Sequence, residues 1–335
     1  MKVFLTGGTG YLGSRLAEAL VAAGHEVTGL ARSAEKGVSL EALGLTLALG
    51  DVADFDSAAI DFKGFDAVIH TAALVRVRAS DKAEFDRVNV QGVGAIAKQA
   101  LEAGVPRFIY TSSFMALGCA PSAIPLDESV IRDGAHVHND YERTKYLGLL
   151  EFNRWVEKGL PGVALFPCVI YGPGAVTSGN LVSHTIADVL KGRLPGVLGD
   201  GKQVWTYSYI EDVVRGHLAA LEKGRAGESY ILGGESASME EFVTVVSRMG
   251  GVKAPLRHVP FWLAKIAAVV EEMRARIANR DPNISREVVE VYRHNWVYSS
   301  AKAEKDLGYQ VTKLETGLAR TVDWVKAQIE QGKIR

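Results

Sequence analysis

Cysteine is scarce in this sequence, with Cys119 and Cys168 alone among 335 residues. Neither belongs to a CxxC pair, which argues against a disulfide framework and a Cys-rich zinc site and favours a reducing, cytoplasmic compartment. The eight histidines show no HExxH or similar spacing, which is a common sequence sign of a zinc site. We therefore predict no metal site.

Net charge and long apolar runs are lacking as well. Lys plus Arg total 38 and Asp plus Glu total 39, so the formal net charge is −1 and gives no overall attraction to nucleic acid or to an anionic membrane. The apolar stretch Val259 to Val270 carries Lys265 and is far too short to span a bilayer. No signal peptide is visible. We expect a soluble protein without stable membrane insertion and without a nucleic-acid partner.

Strand-like and helix-like segments alternate through the first half of the chain. The predicted strands are residues 2–6, 26–31, 46–49, 67–70 and 107–111, and helical patterns cover residues 13–23 and 88–103. Such alternation is typical of βαβ units and a parallel sheet. We predict an α/β fold with a Rossmann-type doubly wound parallel sheet and a smaller, mixed C-terminal substrate-binding domain.

The second half is less regular. A strand is predicted at 162–166 and helices at 140–156, 260–278, 300–307 and 314–328, with loops at 171–179 and 192–201. The pattern changes near residue 165 without a flexible linker. We assign residues 1–165 to a dinucleotide-binding domain, to which segments near 200–225 and 295–300 return, and residues 166–335 mainly to the substrate-binding domain.

A glycine-rich loop follows the first predicted strand and opens the first helix. Its sequence, TGGTGYLG at residues 6–13, has the spacing GxxGxxG. Glycine permits a tight turn and a close approach of the backbone to a pyrophosphate, and the helix N-terminus attracts the negative charge. This context favours nucleotide binding over a structural turn. The residues predicted to contact the dinucleotide here are Gly7, Thr9, Gly10, Tyr11, Leu12 and Gly13.

The end of the second predicted strand bears on the choice of dinucleotide. It lacks the acidic residue that usually holds the ribose 2′-OH of NAD and instead carries Arg32, which can meet a 2′-phosphate. Lys36 is a second candidate cation. NADP(H) is therefore favoured, NAD(H) is the alternative, and a solvated surface role for Arg32 stays open. Asp51 and Val52 follow the third strand, where Asp51 either meets the adenine edge or only forms a turn.

Tyr141 and Lys145 are four residues apart in a predicted helix, so their side chains share one face. A nearby ammonium lowers the pKa of a phenol, which can then exchange a proton near neutral pH. An isolated YxxxK pair is usually without meaning. Here it is joined by Thr111, Ser112 and Ser113 at the carboxyl end of a predicted strand, where open α/β sheets bind ligands.

These motifs together resemble the extended short-chain dehydrogenase/reductase family. The matching segments are TGGTGYLG (6–13), GDV (50–52), HTAA (70–73), VNVQG (88–92), YTSS (110–113), YERTK (141–145), PCVIYGPG (167–174) and SSAKAEKDLGY (299–309). The resemblance implies a catalytic triad of Ser113, Tyr141 and Lys145, in which Lys145 also holds the nicotinamide ribose. It implies further cofactor contacts at Ala72, Ala73, Thr111, Pro167 and Val169. Asn89 matches a helix Asn of the family and is either a packing residue or part of a proton relay.

The expected substrate class is inferred from one position at which this sequence differs from the nucleotide-sugar members of the family. Members that act on nucleotide sugars usually have an Arg in a GDGxQxRDF segment that grips the diphosphate, whereas Trp205 stands at that position here. An aromatic ring cannot neutralise a diphosphate but can pack on an apolar substrate. The segments TSSFMALG and 171–195 are similar to the dihydroflavonol reductase-like branch and its farnesol dehydrogenase-like members in plants. That similarity implies an isoprenoid, aryl or flavonoid-like alcohol or carbonyl.

The predicted substrate-pocket residues are Phe114, Met115, Tyr171, Thr177, Trp205 and Tyr207. Each aromatic residue among them has core packing as its alternative. The apolar helix at 260–278 is a lid, a membrane-contacting surface or a packed helix. Two other functions stay open, an NAD-dependent nucleotide-sugar epimerase or dehydratase and a non-catalytic dinucleotide sensor. The resemblance also allows a homodimer through the Tyr141 helix, although many relatives are monomers.

Overall fold

The computed structural model describes residues 1–58, 60–75, 82–130, 132, 134, 137–177, 180–278, 280, 282 and 284–334. The strands are β1 (Lys2–Thr6), β2 (Glu26–Ala31), β3 (Thr46–Leu49), β4 (Ala67–His70), β5 (Phe108–Thr111), β6 (Gly162–Pro167), β7 (Val169–Tyr171), β8 (Val197–Leu198), β9 (Val204–Tyr209), β10 (Ser229–Leu232), β11 (Ser236–Ser238) and β12 (His258–Val259). The α-helices are α1 (Tyr11–Ala22), α2 (Ala34–Glu41), α3 (Lys82–Asp86), α4 (Gly92–Glu102), α5 (Asp140–Glu157), α6 (Leu181–Leu190), α7 (Ile210–Lys223), α8 (Met239–Gly250), α9 (Phe261–Ile277), α10 (Arg286–Val291), α11 (Ala301–Leu307) and α12 (Leu314–Glu330).

The main sheet has seven parallel strands in the order β10-β6-β5-β4-β1-β2-β3. β1 lies between β2 and β4, so the strand order reverses there and a crevice opens at the carboxyl ends of these strands. β4 and β5 are buried at every residue, which explains why they are short unbroken apolar runs rather than alternating patterns. The predicted Rossmann-type sheet is confirmed.

The last strand of this sheet comes from the second half of the chain. β10 pairs in parallel with β6, with Ser229 opposite Ala164. The helix before it, α7, packs against α1 and against several strands of the sheet, and α11 packs on α7 and β10. The pattern change near residue 165 therefore falls inside β6, within the main sheet.

A second, smaller unit carries mixed sheets. β9 pairs with β11 in antiparallel and with β7 in parallel register, and β8 pairs with β12. α6, α8 and α12 pack together beside these strands and bury an apolar cluster with them. This arrangement confirms the predicted mixed C-terminal part. No helix among the described residues is long and apolar enough to cross a membrane.

The helix predicted at 88–103 starts earlier and contains an irregular turn. α3 runs through a π-helical turn at Arg87–Gln91 into α4. π turns are rare and often occur at functional sites. Asn89 lies in this turn, is buried, and accepts a hydrogen bond from the Leu74 N–H at 2.7 Å and donates one to the Thr144 hydroxyl at 3.1 Å. It therefore joins the loop after β4 to α5.

Candidate active site

The glycine loop turns tightly at the carboxyl end of β1. Gly7 has a φ of +74°, and a Cβ on it would lie 2.6 Å from the Ala72 nitrogen. A Cβ on Gly13 would lie 2.0 Å from the Gly7 carbonyl oxygen. Gly10 caps α1 without a side-chain hydrogen bond, so no side chain at the cap occupies the N–H groups of the first turn. This backbone cradle fits a dinucleotide pyrophosphate.

The other predicted residues of this loop have different surroundings. Thr9 is exposed, and Leu12 packs against the buried cluster between α1 and the sheet. The Tyr11 hydroxyl donates a 2.7 Å hydrogen bond to the Gly172 carbonyl, and its ring is buried. Burial raises the pKa of Tyr11 well above its usual value. The Tyr11 side chain therefore fastens α1 to the chain after β7.

Arg32 and Asp51 follow β2 and β3 at the same edge of the sheet. Arg32 is exposed, and no ion pair to it occurs in the part of the chain that the structure describes. Lys36 is also exposed, in the first turn of α2. The Asp51 carboxylate accepts the Ala53 N–H at 3.0 Å and so stabilises a turn, while Val52 is buried beside α4.

A buried polar pair fixes the loop after β4. The Thr6 hydroxyl lies 2.7 Å from His70 Nδ1 and accepts the Ala72 N–H at 3.2 Å. Burial, with a smaller effect from the Lys145 charge, lowers the pKa of His70 to about 3. His70 is therefore neutral at physiological pH, and Ala72 and Ala73 are held half-buried beside the glycine loop.

Lys145 is buried at the carboxyl end of β5. Its Nζ donates a 3.0 Å hydrogen bond to the Thr111 carbonyl and lies 5.6 Å from the centre of the Tyr110 ring. Burial lowers the pKa of Lys145 to about 7. The Thr111 hydroxyl is held in turn by His217 Nε2 of α7 at 2.9 Å. Thr111 thus links the Lys145 side chain of α5 to His217 of α7 through hydrogen bonds.

Ser113 lies just after β5, and Tyr141 lies one turn before Lys145 in α5. The Ser113 hydroxyl caps the short 3₁₀ turn Phe114–Leu117 by accepting the Met115 N–H at 3.3 Å. Burial raises the pKa of Tyr141, and a hydrogen bond with Ser113 opposes that rise. The expected lowering of this pKa by Lys145 is not found. Ser112 instead pairs with β6 through its N–H, which bonds the Leu165 carbonyl at 2.8 Å.

Several predicted substrate residues are packed into the core. Phe114 is buried with its ring edge-on to Trp296 and Tyr298, at centroid distances of 5.5 and 5.6 Å, and Met115 is buried next to it. Tyr207 stacks on Phe242 at 4.7 Å. The same cluster contains Tyr171, which is buried against Tyr207 and Tyr209. Core packing, the alternative for each aromatic residue, describes Phe114, Tyr171 and Tyr207 alike.

Trp205 remains the candidate for a substrate-facing wall. It is half-buried, stacks on Tyr292 at 4.6 Å, and donates its indole N–H to the His294 carbonyl at 3.1 Å. It lines a small cavity with Leu198, Gln203, Tyr207, Met239 and Tyr292. The Thr177 carbonyl accepts the Asn180 N–H at 3.1 Å. Residues 178 and 179 of the predicted loop lie outside the described residues.

Pro167 and Val169, the remaining predicted cofactor contacts, lie at the end of β6 and the start of β7. β6 is adjacent to β5 in the sheet, so both residues are at the same carboxyl edge as Thr111. Val169 is half-buried.

A polar cluster at the start of α5 has no signal in the sequence. Glu142 is fully buried, accepts the His138 N–H and lies 2.8 Å from His138 Nδ1, and pairs with the buried Arg132 guanidinium. Side-chain atoms of Cys119, His138 and His294 that could bind a metal ion lie within 4.8 Å of one another. The three come from distant segments, so spacing along the chain could not predict the group. Burial alone would raise the pKa of Glu142, but His138 and Arg132 outweigh it and lower that pKa.

Comparison with known proteins identifies the family of this chain. The model of the NAD dependent epimerase/dehydratase family matches residues 3–233. The chain belongs to that family. It is 29% identical over 325 residues to a protein of Synechocystis sp. named as a candidate dihydroflavonol 4-reductase, covering 96% of this chain and 93% of that protein.

Two further relatives extend the comparison. The 4-hydroxy-2-methyl-3-oxo-4-farnesyl-3,4-dihydroquinoline-1-oxide ketoreductase of Stigmatella aurantiaca is 28% identical over 92% of each chain. The crystal structure of gox2253 is 30% identical, covers 99% of both chains and has a TM-score of 0.82. The extended short-chain dehydrogenase/reductase family is thus confirmed, and the protein is an NAD(P)-dependent oxidoreductase.

Proposed function

We propose that the protein interconverts an alcohol and a carbonyl on an apolar small molecule by hydride transfer. The observation that carries this proposal is the position of Ser113 and Lys145 at the carboxyl end of β5, with Tyr141 one turn before Lys145 in α5. Tyr141 and Lys145 come from adjacent turns of α5, and Ser113 closely follows the end of β5. A proton donor, an oxygen-binding hydroxyl and a buried amine at one sheet edge are what carbonyl reduction needs.

The protein supplies orientation and proton transfer in this proposal. A bound nicotinamide dinucleotide supplies the hydride acceptor or donor. The glycine loop at Gly7, Gly10 and Gly13 would hold the pyrophosphate, and Lys145 would hold the ribose of the nicotinamide. Ser113 donates a hydrogen bond to the substrate oxygen, and Tyr141 exchanges a proton with that oxygen.

An apolar substrate is supported by Trp205 and by the relatives. Trp205 and Tyr292 present stacked aromatic rings at the cavity beside β9, and none of the described residues that line this cavity carries a charge that could pair with a diphosphate. The Stigmatella relative is named for a ketone that carries a farnesyl group. We therefore assign isoprenoid, aryl or flavonoid-like compounds as the substrate class.

Trp205→Arg should sharply reduce turnover of apolar carbonyls, because a poorly paired charge would replace an aromatic surface. Trp205→Phe, which keeps an aromatic ring, is the matched control and should retain most of the activity. The measurement is kcat/KM for isoprenoid and aryl aldehydes of increasing apolar area, beside binding titrations of UDP-sugars. We expect kcat/KM to rise with apolar area in the native enzyme.

The same assays separate the alternative functions. Steady cofactor consumption with apolar carbonyls supports the proposal. Micromolar binding of a UDP-sugar, with NAD retained on the protein and no turnover of any apolar carbonyl, would reject it in favour of an epimerase or dehydratase. Dinucleotide binding without turnover of any substrate would indicate a sensor.

NADP(H) is the dinucleotide that we propose, on the basis of Arg32. Its guanidinium is exposed beside the end of β2, and a 2′-phosphate there would gain a charge-assisted hydrogen bond. Arg32→Ala should weaken NADPH binding by about 1.5–3 kcal/mol and leave NADH binding almost unchanged. Fluorescence titration with both dinucleotides measures this difference, and Lys36→Ala tests the second cation. Equal losses for NADPH and NADH would assign Arg32 a structural role.

A further inference from the structure

The helix α9 is apolar on two opposite sides. Its inner side buries Ala264, Ala268 and Ala275, the first two of which pack with Val289 of α10. Phe261 and Leu198 complete this small core. An amphipathic helix needs only one such face to pack on a protein, so the inner side accounts for the position of α9 but not for the composition of its outer side.

The outer side of α9 carries an unusual amount of exposed apolar surface. Its largest exposures are 65% for Trp262, 62% for Met273 and 87% for Ile277. At 3.6 residues per turn the exposed apolar side chains form one stripe, about 120° wide, along the whole helix. Exposed apolar surface of this continuity marks a contact with a partner or a membrane. The members of this outer stripe are Trp262, Leu263, Ile266, Val269, Val270, Met273 and Ile277.

The charges beside the outer stripe are positive. Arg274 and Arg276 project at its two borders, both exposed, and neither has an ion pair in the described part of the chain. The acidic residues of the helix are neutralised by other arginines. Glu271 pairs with Arg280 at 2.7 Å and Glu272 with Arg286 at 2.9 Å. The outer stripe is therefore an apolar surface with cationic borders.

We propose that the outer stripe docks this protein on an anionic lipid bilayer, with α9 lying in the plane of the interface. Apolar side chains that face the acyl boundary, with arginines level with the headgroups, are the pattern of interfacial helices. Trp262 begins the stripe, and the indole ring prefers the interface between lipid and water. α9 has only 17 residues and carries four charged side chains besides Lys265. It would therefore lie on the bilayer and not cross it.

The position of α9 connects this surface to the candidate active site. Leu198 packs in the small core under α9 and also lines the cavity of Trp205 and Tyr292. The Phe261 ring occupies the space that a Cβ on Gly199 would need, 2.3 Å away. A substrate dissolved in lipid would thus be a short distance from the predicted aromatic wall. The docking proposal itself does not depend on the substrate class, because its test measures binding.

Co-sedimentation of the full-length protein with vesicles tests the proposal. The probes are vesicles of phosphatidylcholine alone and vesicles containing one-third phosphatidylglycerol. We expect binding to the anionic vesicles that weakens as the salt concentration rises. Ile266→Glu combined with Met273→Glu should reduce the partition coefficient at least tenfold. Arg274→Glu combined with Arg276→Glu should reduce binding to the anionic vesicles by roughly 30-fold or more, from about fivefold for each basic residue.

Val38→Glu is the matched control, because Val38 is an apolar residue of α2 with 59% exposure on another surface. It should bind vesicles like the native protein. Circular dichroism and thermal unfolding check that each variant is folded. If the stripe variants are unfolded, the arginine variants alone test the proposal. Absence of binding to either vesicle, or an equal loss in Val38→Glu, overturns the proposal. So does a dimer, seen by light scattering, that the stripe variants dissociate, since the occupant would then be a second copy.

Discussion

Tyr141→Phe should lower kcat by about 10²–10⁴-fold and leave dinucleotide affinity nearly unchanged. The substitution keeps the ring on α5 and removes only the hydroxyl that we propose exchanges the proton. Proton transfer to the substrate oxygen would then have to come from water, while the glycine loop and Lys145 stay in place. Steady-state kinetics with an apolar aldehyde, beside a dinucleotide titration, measures both quantities.

Tyr146→Phe is the control for this variant. It also removes one tyrosine hydroxyl from α5. The Tyr146 hydroxyl donates a hydrogen bond to the Arg132 carbonyl at 3.3 Å. We expect its kcat to stay within a few-fold of the native value. Near-normal turnover in Tyr141→Phe would remove Tyr141 from the mechanism, and equal losses in both variants would show that α5 had been disturbed.

Glu142→Ala should lower the free energy of unfolding by about 3–5 kcal/mol, the range for breaking a buried ion pair. The Glu142 carboxylate is fully buried against Arg132, whose side chain is 8% exposed. Its removal leaves a guanidinium buried with only part of its hydrogen bonds, including the one to the Met115 carbonyl at 2.7 Å. Chemical denaturation of both proteins measures the difference.

Glu157→Ala is the matched control, because Glu157 is exposed at the last turn of the same helix. It should change the free energy of unfolding by less than about 0.5 kcal/mol. The pKa of Glu142 is lowered below its ordinary value of 4.5. Its contribution to stability is therefore complete above about pH 5 and is lost as the pH falls through the folded-state pKa. Glu142→Ala should lack that part of the acid-induced loss.

The backbone of the cofactor site could be predicted from the sequence because its determinants are local. Strand β1, the glycines at 7, 10 and 13, and the start of α1 are consecutive, and the turn depends on the absence of Cβ atoms within that segment. Tyr141 and Lys145 are likewise set by one helix. Local sequence specified these features without knowledge of distant contacts.

The rest of the site depends on contacts between distant segments. The surroundings of Tyr171 and Tyr207 are decided by α8 and α12, which follow them by many residues. The pKa of Tyr141 depends on burial by several elements. A helical spacing predicts that two side chains share a face, but it does not predict which third group each of them contacts.

The order of the main sheet has a consequence for synthesis at the ribosome. β6 is buried at every residue, yet its outer partner β10 begins only at Ser229, about sixty residues later. Until β10 has emerged, the outer edge of β6 presents unpaired backbone groups, and such edges recruit strands from other chains. α11, which packs on β10, is made later still. A translation pause between residues 167 and 229 would therefore leave an aggregation-prone nascent chain, and a truncated N-terminal half would fail as an isolated dinucleotide-binding fragment.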